Sequence, residues 1–261
     1  VAVKASSGDS FTTLDLAEGI DYVTALKEEN SVNVVAINAS LGGPVNEDLL
    51  LNQAIGGAGN AGILFVAAAG NNGTDNDVTP FYPANLFMPH VLSVAGTDEN
   101  DALANFGGGQ ASNYGRRTVH LAAPGKNIQS TYRDAGYLSL SGTSMSAPHV
   151  TGVLALLKAQ DPNLDWIALK NRVLSSGAPL SSLASKTVTG RRLRATGSGQ
   201  VVQSRLRPIM DTLDLLPGNT ADLAALNISG DLSLGNLPVS ITRNGSSYGT
   251  VTLKDDGVGF D

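Results

Sequence analysis

A serine at the start of a predicted apolar helix has the setting that a nucleophile requires. Residues 142–149 read Gly-Thr-Ser-Met-Ser-Ala-Pro-His, which places Ser144 in the first turn of that helix. The N–H groups of a first turn have no partner inside the helix, and the macrodipole there favours negative charge, so the position suits an oxyanion. Pro148 has no N–H, so we expect the Ser144 carbonyl to be free for another partner. Taken alone, a serine before a helix is more typical of an N-cap.

A second polar group, Asn71, follows a predicted strand. Residues 67–73 read Ala-Ala-Ala-Gly-Asn-Asn-Gly and come directly after the apolar run 62–66. In open α/β sheets ligands bind beyond the carboxyl ends of the strands, where an asparagine amide can donate to a developing oxyanion. An Asn-Asn-Gly sequence without other signals is more typical of a plain turn.

A glycine pair lies after another predicted strand. Residues 37–44 read Ile-Asn-Ala-Ser-Leu-Gly-Gly-Pro. Because Gly42 and Gly43 have no side chain, an extended peptide could approach their backbone closely, as in β-augmentation. The segment is therefore a candidate substrate wall.

The elements that position these groups alternate along the chain. Short, nearly continuous apolar runs predict buried parallel strands at residues 32–38, 63–69, 91–95 and 119–123. Helices are predicted to begin near Thr12, Asn46, Ser144 and Leu164, the last ending at Gly177 as its C′ residue. A hairpin is predicted from residues 128–131 and 137–140. The alternation predicts a doubly wound, mostly parallel α/β fold with helices on both faces.

The pattern changes after about residue 195. Residues 239–242 and 250–253 alternate with period two on either side of Asn244 and Gly245, which predicts a hairpin. A β-sandwich needs about seven strands, and the residues after 195 are long enough for only about three of them, so such a domain would be incomplete here. We therefore predict a catalytic domain over residues 1–195, and a linker with the start of an incomplete β-sandwich-like domain over residues 196–261.

Composition limits the classes of function. The 261 residues include no cysteine, which excludes disulfides and thiolate chemistry. A net charge of -6 argues against a nucleic-acid partner, and the basic residues Arg191, Arg192 and Arg194 are interpreted as a solvated turn. No apolar run is long enough to span a membrane. The chain begins at Val1 without a targeting signal, so we expect it to be cut from a longer protein.

Together, the three motifs resemble those of the subtilisin-like serine proteases, the subtilase or peptidase S8 family, over about residues 1–195. The resemblance implies a serine endopeptidase that acylates Ser144 and holds the oxyanion with Asn71. The substrate-binding residues that it implies are Ser40, Leu41, Gly42, Gly43, Ala69, Gly70 and Gly8. Phe81 begins a segment similar to the floor of the specificity pocket, where it either makes the pocket shallow or serves as a core aromatic.

The same resemblance implies polypeptide substrates, secretion and chemistry that needs no cofactor, and it is compatible with a structural calcium ion for which the sequence identifies no ligand set. Residues 254–261 offer carboxylates to such an ion, although a solvated turn is the simpler interpretation.

The general base is not identified. In the family the triad runs Asp, His, Ser along the chain, so we expect the Asp and His to lie upstream of Val1. The histidines, His90, His120 and His149, are interpreted as structural. A serine hydroxyl without a base is a weak nucleophile, so this chain alone is expected to be inactive. Two alternatives remain: a degenerate family member that serves as a binding or regulatory module, and a structural adhesion fragment dominated by the β region.

Overall fold

The computed structural model describes residues 2–5 and 12–195, and four later strands. The helices are α1 (Thr13–Glu28), α2 (Leu49–Asn60), α3 (Thr143–Gln160) and α4 (Trp166–Ser176). The strands are β1 (Ala36–Ala39), β2 (Leu64–Ala68), β3 (Val91–Thr97), β4 (Asn105–Gly107), β5 (Gln110–Ala111), β6 (Leu121–Pro124), β7 (Ile128–Thr131), β8 (Tyr137–Leu140), β9 (Ala178–Pro179), β10 (Arg191–Arg192), β11 (Arg205–Pro208), β12 (Ala225–Ile228), β13 (Leu237–Arg243) and β14 (Ser246–Leu253).

One mostly parallel sheet forms the centre of the fold. Its strand order is β1-β2-β3-β6-β10-β9. The pairs from β1 to β10 are parallel and only β9 runs antiparallel. Each of the four predicted parallel strands overlaps one of these, so the prediction of a doubly wound, mostly parallel α/β fold is confirmed.

Helices cover both faces of the sheet because successive residues of β2 point to opposite sides. Leu64 and Val66 pack with α3 and α4 in one apolar cluster. Phe65 and Ala67 pack with α1 and α2 in the other. All five residues of β2 are buried, which explains its unbroken apolar sequence.

The α3 helix is buried on one side only. Val150 and Leu154 are fully buried against the sheet. On the other side four small or apolar residues are exposed: Gly152, Ala155, Leu156 and Ala159. A helix that is apolar all round normally lies inside a protein. Among the described residues, nothing covers this side of α3.

Two local predictions were wrong. Arg191 and Arg192 do not form a solvated turn: they form β10, pair with β6 and β9, and are half-buried. Gly177 ends α4 but has an extended backbone, φ -57° and ψ 154°, and not the left-handed one expected of a C′ glycine. A Cβ at Gly177 would lie 2.8 Å from the Arg192 carbonyl oxygen, so the close passage of β10 explains the glycine.

The later strands form hairpins. β11 pairs antiparallel with β12, and β13 pairs antiparallel with β14. The second pair confirms the predicted hairpin. The division into a domain over residues 1–195 and an incomplete sandwich stays a prediction.

Candidate active site

The nucleophile candidate lies where the β7–β8 hairpin leads into α3. Gly142 is the N-cap, and its φ of 152° turns the chain into the helix. Its N–H donates to the Gly125 carbonyl at 2.8 Å, which ties the turn to the chain just beyond β6. Ser144 follows in the first turn and is half-buried. No acceptor for its N–H occurs in the part of the chain that the structure describes, as expected for a first-turn donor.

Ser40 and Ser144 are joined by two hydrogen bonds. The Ser40 hydroxyl donates to the Ser144 carbonyl at 2.7 Å. The Ser144 hydroxyl donates to the Ser40 carbonyl at 3.3 Å. Pro148 has no N–H to donate to the Ser144 carbonyl, as residue i+4 of a helix normally does. The Ser40 hydroxyl is the donor instead, which confirms the prediction that this oxygen takes another partner. The contacts hold the proposed substrate wall directly beside the nucleophile candidate.

Asn71 lies beside the same helix mouth. Its Oδ1 accepts from the Thr143 N–H and from the Thr143 hydroxyl, both at 2.9 Å. The same hydroxyl accepts from the Gly70 N–H at 3.1 Å. Because Oδ1 is occupied, the amide nitrogen of Asn71 is the end left to donate, and it has no acceptor among the described residues. A Cβ at Gly142 would lie 3.3 Å from this nitrogen, which places it at the start of α3.

The Phe81 ring lies between the segment that contains Gly42 and the segment that contains Gly70. Its side chain is 8% exposed and belongs to the apolar cluster of α1 and α2, as a core aromatic would. A Cβ on Gly42 would lie 2.5 Å from the ring and one on Gly70 would lie 2.9 Å from it. Gly43 and Tyr82 pair as an antiparallel bridge, with N–H to O distances of 2.9 and 3.0 Å. The glycines therefore let both segments close around the ring.

The remaining predicted substrate residues differ in accessibility. Leu41 is half-buried against the α1 and α2 cluster. Ala69 is fully buried: its N–H donates to the Val94 carbonyl at 3.0 Å and its oxygen accepts from Asn76 Nδ2 at 2.9 Å. Gly8 lies outside the described residues.

The histidines are occupied away from Ser144. His90 Nε2 contacts the Ile55 carbonyl at 2.9 Å, and burial lowers its pKa to about 4. His120 Nδ1 accepts from the Ser93 N–H at 3.0 Å, and burial lowers its pKa well below the ordinary value. His149 Nδ1 contacts the Met145 carbonyl of its own helix at 2.8 Å. Within the described residues, no imidazole or carboxylate is hydrogen-bonded to the Ser144 hydroxyl.

The sequence interpretation missed two residues around Asn71. Thr143 is fully buried and provides both hydrogen bonds to the Asn71 side chain; its place inside the serine motif is the only signal that could have singled it out. Asn113 accepts a hydrogen bond from the Asn72 N–H, 41 residues away in the chain, and no local pattern marks it.

Clustered metal-ligating side chains can be assessed only among the described residues. No group of three His, Cys, Asp or Glu side chains among them could hold an ion. Residues 254–261, for which a solvated turn was the simpler interpretation and a calcium site the alternative, lie outside this part of the structure.

Comparisons with known proteins agree on one family. Residues 1–199 match the family described as the subtilase family, Peptidase_S8. Subtilisin Savinase of Lederbergia lenta is 35% identical over 182 residues, covering 70% of this chain and 61% of that protein. Subtilisin-like protease 2 of Plasmodium falciparum (isolate 3D7) is 36% identical over 169 residues, covering 62% of this chain and 12% of that protein.

The fold comparison points the same way. A cold adapted subtilisin-like serine proteinase superposes with a TM-score of 0.63 at 32% sequence identity, covering 74% of this chain and 64% of the other. The chain thus spans less than two thirds of the length of each of these relatives.

Proposed function

The chain belongs to the subtilase family, and on that premise we propose that it is the nucleophile-bearing part of a serine endopeptidase. The observation that carries the proposal is the shared position of two groups at the mouth of α3. Ser144 is tied to Ser40 through its hydroxyl and carbonyl, and Asn71 is held by Thr143, the residue next to the nucleophile.

The proposed reaction is acyl transfer. The Ser144 Oγ attacks the carbonyl carbon of the scissile peptide bond while its proton passes to a general base. The carbonyl oxygen becomes an oxyanion that accepts hydrogen bonds from the Ser144 N–H and from Asn71 Nδ2. Collapse of this intermediate expels the amine, which takes the proton, and leaves an acyl group on Ser144 that water then hydrolyses. The chemistry requires no cofactor.

Substrate would bind along the segment that contains Gly42 and Gly43. Both backbone groups of Gly43 already pair with Tyr82, so we propose that an extended peptide pairs with the part of the segment that precedes Gly43. The buried Phe81 ring fills the space beside Gly42 and Gly70, so we propose a shallow pocket for the side chain that precedes the scissile bond.

The general base would come from a segment of the same protein outside the described residues. The structure offers a surface for it: a groove of about 660 Å³ is lined by residues of α1, β1 and α3, including Ile20, Ile37 and Ala155. The exposed apolar side of α3 is continuous with this groove. We propose that the groove holds the segment carrying the Asp and His of the triad.

The test compares this chain with the gene product that contains it. A fluorescent phosphonate directed at serine nucleophiles should form an adduct on Ser144 in the gene product, located by peptide mass spectrometry. The Ser144→Ala variant should form none. This chain alone should react far more slowly, because loss of triad members costs about 10⁶-fold in kcat. Absence of an adduct on Ser144 in the gene product would refute the proposal.

The lack of a base among the described residues also favours a second function, a degenerate module that binds peptides without cleaving them. Equal peptide binding by the wild-type gene product and by Ser144→Ala, with no adduct and no hydrolysis, would support that function.

We also propose that the gene product acts outside the cell, as the resemblance to the subtilisins implies. In the described part of the chain, no helix combines the length and apolar character that crossing a bilayer requires. Detection of the protein in the culture medium of its host would test the proposal.

A further inference from the structure

A buried amide, Asn113, contacts the chain on both sides of Asn71. Asn113 is completely buried. Its backbone N–H donates to the Gly70 carbonyl at 2.9 Å. Its Oδ1 accepts from the Asn72 N–H at 2.8 Å and from the Thr74 N–H at 3.2 Å. The peptide groups before and after Asn71 are thus fixed by the same residue.

The orientation of the Asn113 amide is fixed in turn by a second buried amide. Asn113 Nδ2 donates to Asn76 Oδ1 at 3.0 Å, and Asn76 Nδ2 donates to the Ala69 carbonyl at 2.9 Å. Asn76 is 1% exposed. Because Asn113 Oδ1 faces two N–H donors, reversing the amide would bring donors against donors. The hydrogen bonds of Asn113 and Asn76 are therefore compatible with only one orientation of the Asn113 amide. They run from the Gly70 carbonyl to the Ala69 carbonyl, so both ends of the network lie just before Asn71.

The contact between Asn113 and Gly70 is close enough to exclude a side chain. Gly70 has φ 110°, in the region that favours glycine, and a Cβ there would overlap Asn113 Nδ2. The Gly70 N–H donates to Thr143 Oγ1, which also donates to Asn71 Oδ1. Displacement of the Gly70–Asn72 backbone would therefore also shift the Asn71 amide relative to the start of α3.

We infer that Asn113 is a positioning residue that holds the backbone of residues 70–72 so that Asn71 Nδ2 is directed to the mouth of α3. Its kinetic consequence rests on the proposed function. Its structural consequence does not, and the two are measured separately.

The structural consequence is measured by amide hydrogen exchange on the gene product. In Asn113→Ala the N–H groups of Asn72 and Thr143 should exchange at least about tenfold faster than in the wild type. The Asn72 N–H loses its acceptor, Asn113 Oδ1, and the Thr143 N–H loses an acceptor held in place, Asn71 Oδ1. Val173→Ala is the control: Val173 is fully buried on α4, so its truncation lowers stability without touching the network. Rates at Asn72 and Thr143 that are the same in both variants would overturn the inference.

The kinetic consequence is measured in the gene product with a peptide substrate. Asn113→Ala should lower kcat by about 10- to 100-fold and change KM by less than about threefold, since a displaced oxyanion donor weakens mainly the transition state. In an Asn71→Ala background the same change should lower kcat by less than about twofold further, because its effect acts through Asn71.

The outcomes separate the two proposals. A full further loss of kcat in the Asn71→Ala background would show that Asn113 acts by another route and would overturn the inference. If wild-type gene product shows no hydrolysis that depends on Ser144, the proposed function fails, and hydrogen exchange alone decides whether Asn113 positions residues 70–72.

Discussion

Acid should destabilise this protein through His90. The imidazole is 6% exposed. Burial lowers its pKa to about 4 from the ordinary 6.5; the hydrogen bond to the Ile55 carbonyl raises it in part, and the charge of Lys170 lowers it further. In the unfolded chain His90 regains the ordinary value. Between pH 6.5 and about 4 the unfolded state therefore binds a proton that the native state does not, so the free energy of unfolding falls as the pH falls.

The size of the loss follows from that interval. A difference between 6.5 and about 4, at about 1.4 kcal/mol per pH unit, gives a loss of about 3 kcal/mol that is complete once the pH reaches the folded-state value. This is a large part of the ~5–15 kcal/mol by which native domains are stable. His120, whose pKa is also lowered by burial, adds to the loss in the same direction.

Urea unfolding at a series of pH values measures the effect. Trp166 is the only tryptophan of the chain and its ring lies edge-on to the His90 imidazole, with centroids 6.4 Å apart, so its fluorescence reports the transition. His90→Gln keeps an N–H donor for Ile55 but does not titrate. We expect its free energy of unfolding to fall by about 3 kcal/mol less than that of the wild type between pH 8 and pH 4. Equal falls in the two proteins would refute the reasoning.

Three further predictions concern other described residues. In the gene product Asn71→Ala should lower kcat by about 10²- to 10³-fold with little change in KM, and steady-state kinetics showing a loss in KM instead would contradict the oxyanion role. Gly57→Ala should stabilise the chain by about 0.5–1 kcal/mol in urea unfolding, since a Cβ there meets nothing within 4 Å. In the same helix Gly59→Ala should destabilise it, because a Cβ there would overlap the His90 ring; equal effects of the two changes would count against the packing argument. Burial lowers the pKa of Lys170 to about 7 from 10.5, so the free energy of unfolding should rise between pH 7 and pH 10, and Lys170→Met should abolish most of that rise.

Elements with a local signal were predicted well. The β7–β8 hairpin has the predicted bounds, because strand alternation and turn chemistry both act over a few residues. The predicted start of α1 near Thr12 has a similarly local cause, a capping box in which Asp15 N donates to the Thr12 hydroxyl at 3.2 Å and Thr12 N donates to Asp15 Oδ2 at 2.6 Å. The contact between Ser144 and Ser40 follows from the missing N–H of Pro148, although the partner could not be named from the sequence.

Elements that depend on distant contacts were not predicted. β10 consists of two arginines, so it has no apolar run, and it is a strand only because β6 and β9 provide partners. The extended backbone at Gly177 likewise follows from the passage of Arg192. Asn113 carries no turn, cap or strand signal, and its hydrogen bonds to residues 70–76 exist only once the chain is folded.

One segment outside the described residues would explain both the exposed side of α3 and the lack, among the described residues, of a base beside Ser144. Among the described residues β1 pairs with β2 alone, so the backbone on its other edge can accept a further strand. A strand added parallel to β1 would end at the same edge of the sheet as β1, which leads directly to Ser40 and its contact with Ser144. Because ligands and catalytic groups collect at the carboxyl ends of parallel strands, a polar residue at the end of such a strand would lie beside the nucleophile. A helix following that strand would cross back over the sheet and could cover Ala155 and Leu156. The apolar side of α3 and the unassisted Ser144 hydroxyl would then be completed by the same segment.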